Sequence, residues 1–147
     1  MYRIEAARPD QMNEVRSLFV EYAKSLNADL CFENFGVELA GLPGDYDPIL
    51  LVSGSAGCVA LRPLSETIGE MKRLYVRPEH RGHGLGRKLT EAIIDKARNR
   101  GFHFLRLDTL PHLHEAIALY RGMGFHDIPQ YCKNPIPGAL FLELRLH

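Results

Sequence analysis

The sequence predicts one three-layer α/β domain of the α+β kind, with a mixed, mostly antiparallel central sheet flanked by helices. Three observations carry this. Apolar periodicity alternates between helical and strand spacing in the order β-α-α-β-β-β-α-β-α-β-β. Three strands follow one another without a helix over residues 49–76, the pattern of an antiparallel meander. The length, 147 residues, suits a single domain spanning 1–147. A chain of this size buries roughly 68–70% of its unfolded surface and needs no disulfide or metal to fold.

The elements follow in chain order. The stretch YRIEAA (Tyr2–Ala7) is a short first strand. Pro9 suits a first helical turn, and DQMNEVRSLFVEYAKSL aligns Val15, Leu18, Phe19, Tyr22 and Leu26 on one face. CFENFGVELAGL repeats that spacing more weakly through Phe32, Phe35, Leu39 and Leu42, and PGDYDP (Pro43–Pro48) is a loop. ILLVSG and AGCVALRP read as a hairpin turning at Gly54-Ser55, and TIGEMKRLYV (Thr67–Val76) adds a third strand. GLGRKLTEAIIDKARNR carries Leu85, Leu89, Ala92, Ile93 and Ala97 on one helical face, with Gly101 placed to end it. FHFLRLDT (Phe102–Thr109) is a strand, HLHEAIALYRGM a helix stopped by Gly124-Phe125, and the proline-rich tail ends in the alternating strand Leu140–Leu146.

Composition excludes several classes. Hydrophobic residues are 46% and charged residues 24%, no run approaches a membrane span of about 18 apolar residues, and MYRIEAARPD lacks a signal-peptide core. The expected location is the cytoplasm. Cys31, Cys58 and Cys132 are odd in number, far apart and without a CxxC pair, as free buried thiols are. Net charge is zero, which does not favour nucleic acid. The charge is uneven, however: residues 1–65 hold five Lys/Arg against nine Asp/Glu, and residues 66–147 hold thirteen against nine. Residues 71–88 alone hold six positive residues and one negative. Charge by itself does not separate a solvated basic face from an anion site.

The glycines in VRPEHRGHGLGRKL (Val76–Leu89) decide between them. A helix N-terminus offers unpaired N–H groups and partial positive charge, and glycines before it admit an oxygen-rich ligand. The stretch fails the P-loop pattern, because Arg87 precedes Lys88 and Leu89 follows it. It fails the dinucleotide pattern G-x-G-x-x-G, because position 87 is Arg. It fits R-x-x-G-x-G through Arg81, Gly84 and Gly86. About 35 residues on, HEAIALYRGMGF (His114–Phe125) fits A-x-x-L-Y-x-x-x-G-F. With these two motifs, and with EMKRLYV leading into the glycines, nearly the whole chain resembles the GNAT superfamily of acyl-CoA-dependent N-acetyltransferases.

The resemblance implies an acetyltransferase that moves an acetyl group from acetyl-CoA to a primary amine by direct attack on the thioester, without a metal. Leu74, Tyr75 and Val76 would lie along the pantetheine arm. The backbone from Arg81 through Gly82, His83, Gly84 and Leu85 to Gly86 would hold the pyrophosphate, with Arg87 and Lys88 nearby. Tyr120 would protonate the departing thiolate, and Glu70 would deprotonate the amine. Thr109 and Asp108, ending a strand, are further candidates, and His112 and His114 have the chemistry of a base but sit at a helix start.

The chain departs from the family at Leu113, where many relatives carry an Asn that touches the cofactor. The acceptor walls would come from Asn27–Asn34 and Gln130–Pro135, where Asp29 and Glu33 suit a cationic amine and Phe32, Phe35 and Tyr131 suit an apolar wall. The expected partner is an amine acceptor, small molecule or protein, with a homodimer left open and neither nucleic acid nor membrane. A competing reading is a non-catalytic acyl-CoA-binding sensor or interaction module, which would share the glycine loop without needing Tyr120 or Glu70.

Overall fold

The structure, a computed structural model, describes residues 1–27 and 34–147. The described strands are β1 (Ile4–Ala6), β2 (Ile49–Val52), β3 (Gly57–Pro63), β4 (Ile68–Val76), β5 (Phe104–Thr109), β6 (His126–Asp127) and β7 (Leu140–Arg145). The helices are α1 (Met12–Ser25), α2 (Phe35–Ala40), α3 (Leu85–Asn99) and α4 (His114–Gly122). The strands form one sheet in the order β1-β2-β3-β4-β5-β7-β6. Every neighbouring pair is antiparallel except β4–β5, whose parallel pairing needs a crossover that α3 supplies. This is the mixed, mostly antiparallel sheet and the element order expected from periodicity.

Both faces of the sheet are covered, which explains why β2 reads as an unbroken apolar run. One face, with Val59, Leu61, Met71, Leu105 and Leu107, packs against Leu89 and Ile93 of α3 and Tyr120 of α4. The other, with Ile49, Leu51, Cys58 and Ala60, packs against Val15, Leu18 and Phe19 of α1. Gly101 ends α3 as expected, with φ +84°; its N–H reaches the Arg98 carbonyl, and that of Phe102 reaches Ala97.

Element ends differ from the periodicity in places. Pro9–Gln11 form a separate 3-10 turn before α1, with the Arg8 N–H donating to Gln11 Oε1. The described part of the second helix is short and stops at Gly41, before the cis peptide at Pro43. Cys31, Phe32 and Glu33, expected to open it, lie outside the described residues, as does Asp29.

The feature that positions the site is in β4. Its pairing with β3 runs the full length to Val76, but Arg73 and Leu74 oppose a single residue, Val59. Arg73 sits at φ +61°, rare for a side chain of its size. This bulge re-phases the strand: Glu70 and Lys72 lie on the opposite side from Met71, yet Leu74 and Val76 return to the face of Met71. Pairing with β5 ends before the bulge, at Glu70–Arg106. Beyond it β5 stays with β7 while β4 stays with β3, so the sheet splits.

Gly57 makes the close approach beside this bulge possible, since a Cβ there would stand 2.5 Å from the Tyr75 carbonyl oxygen. Gly57→Ala should destabilise the fold by about 1–3 kcal/mol. A fall in Tm of about 3–10 °C in thermal unfolding followed by circular dichroism is the expected outcome, and an unchanged Tm would contradict the packing described.

Candidate active site

The split between β4 and β5 is a cleft of about 420 Å³. Its walls are residues 71–76 on one side and 107–110 on the other, with α1 and α4 across its mouth. Past Glu70, the edge of β4 that faces β5 pairs with no strand among the described residues, and it borders the cleft. Leu74, Tyr75 and Val76 line it, as does Thr109 at the end of β5.

At one end the cleft meets the start of α3. Gly82 and Gly84 turn the chain with φ +88° and +73°, and a Cβ on either would meet nothing within 4 Å. Gly84 is the N-cap, with no side-chain cap over the first turn, so the N–H groups there have no intrahelical partner. Arg81, Gly82, Gly84, Leu85 and Gly86 all line the cleft. Arg81 folds back, its Nε donating to the Val76 carbonyl at 3.0 Å. His83 and Arg87 are exposed and do not line the cleft; the His83 ring instead packs 5.5 Å from Tyr2. His112 and His114 are likewise exposed and outside it.

Tyr120 is carried into the cleft by α4, which turns its ring onto Phe125 at 5.7 Å. Its hydroxyl makes no hydrogen bond with a described residue. Burial pushes its pKa up, with the nearby Tyr22 phenol and the Asp108 carboxylate adding to that direction, so the phenol holds its proton. Leu113, where relatives carry Asn, also lines the cleft, beside Leu110 and Leu26.

Glu70 is placed differently from the expectation. It lies just before the bulge, on the strand phase opposite Met71, and is wholly buried outside the cleft. Arg62 Nε donates to its Oε1 at 2.7 Å and the Tyr131 hydroxyl donates to its Oε2 at 2.6 Å. Phe35 packs on the Arg73 guanidinium, and Tyr131 on that of Arg106.

Two other cleft residues were read only as parts of a longer stretch, Asn134 within the expected wall Gln130–Pro135 and Lys72 within the basic run 71–88. Both reach Asp108: Lys72 Nζ at 3.5 Å from Oδ1, and Asn134 Nδ2 donating to Oδ2 at 3.0 Å. The one sequence signal was Glu70-x-Lys72, two charges at strand spacing in a central strand. Tyr22 and Leu26, placed on the core face of α1 by periodicity, line the cleft as well.

The family model of the acetyltransferase (GNAT) family matches residues 43–125. An uncharacterised N-acetyltransferase of Schizosaccharomyces pombe is 39% identical, over 94% of this chain and 90% of its own. A Klebsiella pneumoniae structure provisionally described as an acyl-CoA N-acyltransferase superposes with a TM-score of 0.81 at 34% identity, covering 100% of this chain and 99% of that one. A Salmonella typhimurium protein solved with its cofactor acetyl-CoA has a TM-score of 0.72 at 22% identity, covering 99% and 94%. Among the described residues, no helix is long and apolar enough to cross a membrane.

Burial pushes the phenols of Tyr46 and Tyr131 up as it does Tyr120, and Glu70 adds to the shift at Tyr131. A pKa raised on folding contributes stability that is complete below the unfolded value, about 10, and is lost as pH rises beyond it. Phenolate absorbance at alkaline pH should therefore rise in two stages. The first stage leaves the circular dichroism signal intact, and Tyr46, Tyr120 and Tyr131 ionise only in the second, together with its loss above about pH 10. Full tyrosine ionisation with the dichroism intact would contradict the burial described.

Proposed function

The chain belongs to the acetyltransferase (GNAT) family, and we propose on that premise that it moves an acetyl group from acetyl-CoA to a primary amine by direct attack on the thioester. The observation that carries this reading is the free edge of β4 running into the uncapped start of α3, with a buried, protonated tyrosine beside it.

The cleft suits the donor at three points. An arm carrying amide groups pairs with the edge of Leu74–Val76 as another strand would. A pyrophosphate is met by the N–H groups after Gly82 and Gly84, where no side chain blocks the approach, and Arg81 stands beside it. Apolar side chains such as Leu107, Leu119 and Met71 exclude water from the walls between. Acetyl-CoA supplies, when bound, a thioester carbonyl open to a neutral amine and a thiolate leaving group. Tyr120 holds the proton that the thiolate needs, and its raised pKa keeps that proton in place until the thiolate forms.

The amine must lose a proton before it attacks. Glu70, the expected base, has both oxygens engaged by Arg62 and Tyr131. The acceptor class stays at the level of a primary amine on a small molecule or a protein.

Two experiments test the reading. With acetyl-CoA and a panel of amines, the protein should release thiol in an amine-dependent way. Tyr120→Phe should lower kcat by about 100-fold while coenzyme A still raises Tm as it does for the wild type. Tyr120→Phe at the wild-type rate would remove the assigned acid. Gly84→Val forces a β-branched residue to φ +73° at the anion site, and it should weaken coenzyme A binding at least about tenfold in a protein that still unfolds cooperatively. Coenzyme A binding without turnover of any amine would favour the binding-module reading.

A further inference from the structure

We infer that Asp108, at the end of β5, is the carboxylate that takes the proton from the acceptor amine, and that Glu70 acts only through the residues it positions. The inference rests on the acyl-transfer reading of the cleft. Among the described residues, the carboxylates lining the cleft are Asp108 and Glu115. Glu115 is exposed in the first turn of α4, whereas the Asp108 side chain is 7% exposed.

Asp108 stands between the two halves of the reaction. On the donor side its charge is felt by the Tyr120 phenol. On the other side it meets the cluster around Glu70, where atoms of Glu70, Asp108 and Cys132 lie within 4.8 Å of one another. Its Oδ2 is held by Asn134 at 3.0 Å, and Asn134 is fixed in turn by the Ile136 N–H donating to its Oδ1. Its Oδ1 has Lys72 Nζ at 3.5 Å, well beyond the 2.7–2.9 Å of a strong charge-assisted bond. A carboxylate oxygen accepts more than one donor. Oδ1 therefore has room for an ammonium proton.

Glu70 lacks that freedom. Reaching an amine would mean breaking two bonds of 2.7 and 2.6 Å and leaving Arg62 without this partner. It anchors Tyr131 instead, three residues before Asn134, and so helps to hold the loop that orients Asp108. The charged and titratable groups facing Asp108 among the described residues are Lys72 and Glu70 from β4, Tyr131 and Cys132 from the loop 128–139, and Tyr120 from α4.

The protons balance as follows. An N–C bond forms and the C–S bond breaks. Of the two protons the nitrogen sheds, the first passes to Asp108 Oδ1 and then to solvent. The second restores Tyr120 after the phenol has protonated the thiolate.

The test compares Asp108→Asn with Glu70→Gln in the full chain, using whichever of spermidine, tyramine or a tripeptide with a free N-terminal alanine the wild type acetylates fastest. Asp108→Asn should bind coenzyme A as the wild type does and lose on the order of 100-fold in kcat/KM near pH 7. Its rate should climb about tenfold per pH unit as solvent supplies the neutral amine. Glu70→Gln should fall less than tenfold and keep the shape of the wild-type pH profile. Asp108→Asn within threefold of the wild type, or Glu70→Gln taking the larger loss and the altered profile, would overturn the assignment while leaving the acyl-transfer reading intact. A wild type that binds coenzyme A but acetylates none of the three amines tells against that reading, and the assignment falls with it. If Asp108→Asn does not fold, Asp108→Glu carries the test: a shifted acidic limb of the pH profile supports Asp108, and an unmoved limb overturns it.

Discussion

The structure depends on one backbone irregularity, the bulge at Arg73. A left-handed arginine is unfavourable by roughly 1–3 kcal/mol, so it must be held from outside the strand. Glu38 of α2 does this with two short hydrogen bonds, to Nε at 2.9 Å and Nη2 at 2.8 Å. The aromatic rings of Tyr22 and Phe35 stack on the same guanidinium. A buried ion pair with this many supports is a device for geometry more than for stability. Had β4 stayed regular, its pairing with β5 would have continued past Glu70 and closed the space now lined by Leu74–Val76.

The bulge also divides labour across the sheet. Before it, Glu70 and Lys72 take the strand phase opposite Met71, next to the loop 128–139. After it, Leu74 and Val76 turn back to the face of α3. In the proposed reaction the donor is therefore addressed mainly by main chain, which tolerates sequence change. In the same reading the acceptor is addressed by side chains from β4, β5, α1 and the loop 128–139, and side chains are where proteins of one fold diverge in substrate.

How much of this the sequence revealed depended on range. The element order was legible because apolar spacing is local, and the glycine turn at the start of α3 because glycines at a helix start contradict helix propensity. Gly101 ended α3 where its chemistry said it should. The bulge was not legible: EMKRLYV reads as an ordinary strand, and what breaks its alternation is Glu38, thirty-five residues away. Glu70 was read by its position in a motif, but its setting is made by Tyr131, sixty-one residues on, and by Arg62 across a hairpin. Lys72 was read only as one charge in a run and Asn134 only as part of the wall Gln130–Pro135, because each gains its particular role from Asp108.

Unpaired strand edges are ordinarily a hazard, because they offer themselves to any other extended chain and so invite aggregation. The free edge of β4 lies in the middle of a sheet, flanked by β5 on one side and walled by α1 and α4. Another protein's strand carries side chains on both faces and demands more room there than a slender, unbranched chain with a few amides. The same cross-section that shields the edge from aggregation thus acts as a sieve, and the protein keeps an exposed hydrogen-bonding ladder without the usual danger of having one.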